Sequence, residues 1–453
     1  MNQFQKAFHS KIQILASLNE SIVNSHFPNG SNHPSLCSTP SRGLKKPGSL
    51  EAGPTTTTGS SASAGNQETA AMVETASERG LPRIYPKLPL EVLELVFSDL
   101  SKPELIPVLQ SNRSLYSVAI RLFYRVLVEN DAARCVALVK RVLAMPALYP
   151  HVRVVEFNLS TVEALTGNFY RLLQRFLRCL SGLTSLTLDL PKVNSPVWIF
   201  DGCRFSLRVL STSMQCSGPL AKFLDSQSNI RTLTLRGFQS DALQAIPLFG
   251  LDIANNPSLL FTPRRNFDDF VLQPASLPKL TSFNAIHAGP PVVATVARGR
   301  PLTIASVPLF SSSALASLDA LNGSSAQLKR LSVISFDPEA PAFIFEEVAK
   351  RFPSLEALHI VVLLAEFTPG LLLAACPHLQ VFKKLKYITC VATSPESSSL
   401  LEEQEIAQKW HQHCPSLQTI ILPKGRVWFQ ANAAPPKRGR AWTCFDEDED
   451  NHE

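Results

Sequence analysis

A motif of the form x-Leu-x-x-Leu-x-Leu recurs through the later two thirds of this chain, and it restricts the possible folds more than any other feature. From about Asn168 onward it is read at GLTSLTL (Leu183, Leu186, Leu188), SLRVL (Leu207, Leu210), NIRTLTL (Ile230, Leu233, Leu235) and KLTSF (Leu280, Phe283). It returns at QLKRLSV (Leu328, Leu331, Val333), SLEALHI (Leu355, Leu358, Ile360), HLQVF (Leu379, Phe382) and SLQTIIL (Leu417, Ile420, Leu422). First positions step by 24 from Leu183 to Leu207, 23 on to Ile230, 27 from Leu328 to Leu355 and 24 on to Leu379. The steps Ile230 to Leu280 and Leu280 to Leu328, 50 and 48, are about twice that. Each motif alternates apolar residues at strand spacing. Helical patterns precede several of them: NFYRLLQRFLRCL, LAKFLDS, FIFEEVAKRF and EEQEIAQKWHQHC. One strand and one helix in about 25 residues cannot bury their own apolar faces, so such units must stack on one another.

That period falls in the leucine-rich-repeat range of 20–29 residues. Two departures make the expected solenoid irregular. The Asn or Cys that usually follows the paired leucines is replaced by Asp189 and Arg236, which removes the side-chain ladder that bonds the turn backbone. Between residues 238 and 326 the motifs are faint and interrupted by Pro, which predicts long insertions. Trp428 and Phe429, just past the last motif, are large apolar surfaces suited to closing the end of a stack. The most apolar stretch, Leu355 to Leu379, is broken by His359, Glu366, Pro369 and Gly370 into a run of strand length and one of helix length, so it predicts core and not a membrane span.

The ordered texture has limits. Residues 1–80 include PTTTTGSSASAG and carry too few large apolar side chains to offset the entropy of ordering, which predicts a disordered region. Phe4, Phe8, Ile12, Leu15 and Ile22 allow only a marginal helix there, without the compact apolar stretch of a secretory signal. Residues 431–453 run from PPKRGR into DEDED and predict a disordered basic-then-acidic tail. The net charge of +6 would be +12 without the six acids of residues 446–453, but no long basic run accompanies it. No nucleic-acid partner is expected on that basis. The nine cysteines form no C-x-x-C pair and are odd in number, which suits free thiols in a reducing compartment, cytoplasmic or nuclear.

Three short helices are expected in residues 81–130, ahead of a repeat region at 131–430. In LPLEVLELVFSDL, Leu88, Val92, Leu95, Val96 and Leu100 recur at helical spacing, with Pro89 in the first turn and Glu91 at the positive helix end. Ser101 and Glu104 stand at capping-box spacing and open a second helix, interrupted by Pro107. Leu115, Ala119, Leu122, Phe123 and Val126 continue a third from about Asn112. So small a cluster needs other elements to cover it.

The run LPLEVLELVFSDLSKPELIPVLQSNRSLYSVAIRLFYRVL resembles an F-box over Leu88 to Leu127. Leu88, Pro89, Glu91, Val92, Leu93, Val96, Phe97, Leu100 and Leu105 fall in register with its signature, whereas Gln110, Ser111 and Pro107 depart from it. With the repeats behind it, and Cys-Pro-x-Leu starts at Cys376 and Cys414, the chain is similar to expanded fungal F-box proteins with degenerate leucine-rich repeats. The resemblance implies a non-catalytic substrate receptor of an SCF-type cullin-RING ubiquitin ligase. Its F-box residues, those nine positions, would bind the Skp adaptor and through it cullin, while the repeats bind a target protein. The alternative is a leucine-rich scaffold that uses the F-box for packing or for adaptor binding outside a ligase.

Chemistry in the chain itself is not expected. His411, His413 and Cys414, with Cys376 and His378, lack the paired spacing of a tetrahedral metal site. No G-x-S-x-G elbow, phosphate-binding loop, G-x-G-x-x-G turn or H-E-x-x-H helix occurs, so no catalytic residue, cofactor or metal is assigned.

Overall fold

The structure is a computed structural model that describes residues 89–162, 165–191, 196–237, 270–310, 314–392, 398–430 and 442–445. The chain divides between Pro89 and Leu90. Leu88, the Ser/Thr-rich N-terminal region, Lys437 to Arg440 and the acidic residues 446–453 lie outside the described residues. All of the described helices and strands belong to the unit that begins at Leu90.

That unit opens with three helices: α1 (Leu90–Ser98), α2 (Lys102–Ser111) and α3 (Arg113–Phe123). The expected cap is in place, with the Glu104 carboxylate accepting from both the backbone N–H and the hydroxyl of Ser101 at 2.7 Å. Those two bonds favour the charged carboxylate and lower its pKa. Asn112 caps α3 by accepting from the Leu115 N–H at 2.8 Å. Pro107 does not break α2.

Among the described residues, thirteen strands then form one sheet whose spatial order is the chain order. They are β1 (Val126–Glu129), β2 (Val154–Asn158), β3 (Ser185–Asp189), β4 (Val209–Thr212), β5 (Thr232–Leu235), β6 (Ser282–Ala285) and β7 (Ile304–Leu309). After them come β8 (Arg330–Ser335), β9 (Ala357–Val362), β10 (Tyr387–Ala392), β11 (Thr419–Ile421), β12 (Val427–Gln430) and β13 (Trp442–Phe445). The pairs from β1 to β11 are parallel; β11–β12 and β12–β13 are antiparallel. Parallel neighbours need a crossover. Most are helical: α4 (Ala132–Leu143), α5 (Gly167–Cys179), α6 (Gly218–Asp225), α7 (Pro290–Ala297), α8 (Ala314–Leu321), α9 (Ala340–Arg351), α10 (Pro369–Ala374), α11 (Cys376–Leu379) and α12 (Leu400–His413). The fold is α/β, the class that a repeating strand and helix in the sequence predicts.

The register aligns the leucine motif across the sheet. Leu127, Val155, Leu186, Leu210, Leu233, Phe283, Ala305, Leu331, Leu358, Ile388 and Ile420 stand opposite one another, and all are buried in one continuous core with the helices. The backbone ladder begins one residue before each strand, where the N–H of Arg153 donates to Arg125 O and that of Lys386 to Glu356 O.

Several expectations need correction. HLQVF is no strand: Leu379 and Phe382 belong to α11 and the turn after it, and the strand positions are taken by Leu385, Ile388 and Cys390. Pro377 sits in the first turn of α11, and the N–H groups of His378 and Leu379 both donate to Ala375 O, so the Cys376 start continues a helix. The Cys414 start does lead into a strand, β11. The double step from Leu280 to Leu328 hides β7, with Leu302, Ala305 and Val307 in the leucine positions. The similarly long step from Ile230 to Leu280 hides none among the described residues, because β5 pairs directly with β6. The sheet also starts earlier than Asn168, at β1, inside the segment assigned to the three helices. At the other end, residues 442–445 form β13, although the tail from 431 was expected to be unfolded.

Candidate interaction surfaces

The three-helix cluster has a core of four buried residues, Phe97, Leu105, Val118 and Ala119. Leu93, Leu100, Leu115 and Leu122 pack partly against it, and Phe123 touches both this cluster and the main core. The nine positions that carry the resemblance therefore separate. Phe97 and Leu105 are interior residues that hold the helices together, not surface contacts. Leu93 and Leu100 are half-buried. Pro89, Glu91, Val92 and Val96 are exposed, and Leu88 lies outside the described residues.

Two further residues join the exposed set. Leu90 and Leu95 are 51% and 71% exposed, beside Val92 and Val96 at 40% and 55%. Val92, Leu95 and Val96 stand at i, i+3 and i+4, one stripe of α1. Ile106 on α2 and Tyr116 on α3 are also open. The helical spacing that placed Leu95 on the stripe was the signal that could have put it on the site. Scattered exposed apolar residues are ordinary, whereas four on one nine-residue helix are not.

The second surface is the sheet face that carries the motif's intervening positions. Its middle row runs from Val128 and Glu156, both exposed, through Thr187, Ser211, Thr234, Asn284, Ser306, Ser332, His359 and Thr389. The hydroxyls of Ser211 and Ser306 are buried without a hydrogen-bond partner. Asp189 and Arg236, which replace the usual turn residues, face each other across β4: an Arg236 guanidinium N–H donates to Asp189 Oδ2 at 2.9 Å. Burial raises the Asp189 pKa, opposed by the Arg236 charge. Beyond β7 and β8, Phe310 and Phe336 stack at 5.2 Å.

Three of the His and Cys side chains singled out in the sequence are spent on local contacts. His413 Nδ1 contacts Lys409 O at 2.9 Å, His411 stacks edge-on against Trp442 at 5.6 Å, and Cys414 Sγ lies 3.4 Å from Phe382 O. Among the described residues no group of three His, Cys, Asp or Glu could hold a metal ion. Burial pushes the thiols of Cys135, Cys203 and Cys216 up to about 12 and raises that of Cys390 as well, so they are poor nucleophiles at neutral pH. Among the described residues no helix is long and apolar enough to cross a membrane. No protein-family model and no curated protein matches the chain.

Proposed function

We propose that the chain is the substrate-recognition subunit of an SCF-type cullin-RING ubiquitin ligase, cytoplasmic or nuclear, and transfers nothing itself. The observation that carries this reading is the apolar face of α1, Leu90, Val92, Leu95 and Val96, left open on the segment that resembles an F-box. An open stripe at helical spacing suits a partner helix or groove. In this proposal those residues, with Pro89 and Glu91, contact the Skp adaptor, while Phe97 and Leu105 keep the helices in place. The strand-helix stack is then an irregular leucine-rich-repeat solenoid that holds a target protein near the ubiquitin-charged enzyme. Its contribution is effective concentration: tethering makes the encounter between target lysine and conjugate intramolecular.

The test is recovery of the Skp adaptor and cullin on the purified chain, wild type beside a Val92→Asp, Leu95→Asp, Val96→Asp variant. Circular dichroism checks that both are folded. Recovery of both partners by wild type and neither by the folded variant is the expected result. Adaptor without cullin would favour the scaffold alternative, and loss of neither partner would remove α1 from the contact.

A further inference from the structure

The residue just before each strand occupies one row along the edge of the sheet, tied by the backbone ladder. In that row stand Arg125, Arg153, Arg208, Arg231, Lys329 and Lys386, from β1, β2, β4, β5, β8 and β10. The row's members before the other strands up to β11 are Thr184, Thr281, Thr303, Gln418 and one acid, Glu356. All six cations are exposed. Lys329 lies 3.7 Å from Glu356, and Arg153 donates to the Gly182 carbonyl at 2.9 Å. Arg125, Arg208, Arg231 and Lys386 make no ion pair with a carboxylate among the described residues. Toward β11 the row opens into a cleft of about 390 Å³, where Lys383 and Lys384 join Glu356, Lys386, Ser416 and Gln418.

We infer that this row is a docking edge for an extended acidic segment of a partner protein. Strands about 4.8 Å apart put the cations of β1 and β10 roughly 43 Å from one another, which an extended peptide of about 13 residues spans. The row carries no exposed aromatic side chain, so it lacks the stacking platform of single-stranded nucleic-acid sites. It also lacks the broad basic footprint and groove-entering element that a duplex requires. Each exposed ion pair is weak alone and screened by salt; six in file, ending in a lysine-lined cleft, act together. Calling the partner a ligase target rests on the function proposed above, whereas the binding itself needs no adaptor, so either can fail without the other.

The probe is a fluorescein-labelled, Glu-rich peptide of about 13 residues, titrated into the full chain and followed by anisotropy. An Arg208→Glu, Arg231→Glu variant is set beside a control, Lys140→Glu, Arg141→Glu, which makes the same charge change on the exposed side of α4. The expected result is binding that weakens as salt rises from about 0.1 M to about 1 M and falls about tenfold or more in the row variant only. No binding by wild type, or equal loss in the control, overturns the docking edge. Tighter binding of a single-stranded RNA of matched charge overturns the partner class. Neutralising Asp446 to Asp450 as Asn and Gln gives the last arm: a tenfold gain in peptide affinity would make the chain's own tail the occupant and overturn the partner assignment.

Discussion

The three-helix cluster and the strand-helix stack come from one chain and treat apolar surface in opposite ways. In the stack, each strand lays its leucine positions against the next, and the core runs from Tyr124 to Trp442 without interruption. Even its polar anchors are inward: Arg300, 3% exposed, donates to the carbonyls of Ser276, Thr295, Val296, Arg298 and Gln273. The cluster encloses four residues and leaves as many large apolar side chains of α1 open to water. A small helical core contributes little stability of its own. The stack thus buries its apolar surface within itself, whereas the cluster leaves an apolar face open, the face that contacts the adaptor in the function proposed above.

Substitutions in the stack should have the largest effect. Trp410 is fully buried, packs edge-on against Phe345 at 5.7 Å and donates its indole N–H to Leu372 O at 2.7 Å. Trp410→Ala is expected to cost about 3–5 kcal/mol, read as a fall in midpoint for the whole unfolding transition in urea. Arg300→Met keeps the stem and strips the guanidinium from those carbonyls; about 3 kcal/mol is expected by the same titration. A loss below about 1 kcal/mol would mean that water replaces it.

Phe97→Ala sharpens the contrast. It should remove about 3 kcal/mol from a cluster with little to lose, so that amide exchange accelerates in α1–α3 while β3–β10 stay protected. Uniform acceleration across both regions would show that they unfold as one body. Leu95→Asp, by contrast, should change stability by no more than about 0.5 kcal/mol, since its side chain is already in water.

The smallest effect concerns pH. Burial raises the Asp189 pKa above its unfolded value, so the folded chain takes up this proton more readily than the unfolded one. The stability linked to it is full below the unfolded pKa and is lost as pH rises through the folded one. Asp189→Asn should therefore flatten the decline of melting temperature as pH rises from the ordinary aspartate range. An unchanged profile would mean that Arg236 offsets the burial.

The leucine spacing made most of the stack legible, because a side chain's inward position at period two survives in the sequence. It failed where identity changed and geometry did not. Val155 and Phe157 in β2, and Ala305 and Val307 in β7, fill leucine positions without leucine, so neither strand stood out. It failed in the other direction at Leu379 and Phe382, which have the spacing of a strand and are buried from a helix and turn. At α1 the sequence marked the apolar residues but could not divide them between interior and surface, since Phe97 and Val96 are neighbours in a helix that is apolar on both flanks. The edge row was invisible for a different reason. Arg125 and Lys386 are 261 positions apart, and only strand register puts them in one line.

The reversal at the end of the parallel run bears on how the chain is made. After β11, a turn containing Gly425 at φ +85°, a left-handed conformation that suits glycine, sends β12 back antiparallel, and Trp428 closes against Glu403 with its indole N–H at 3.2 Å. During synthesis the strands arrive one at a time, and each new one leaves an unpaired edge until the next is added. For β11 the next strand is β12, so a chain that stops before Val427 carries β11 as an open edge, ready to pair with another chain.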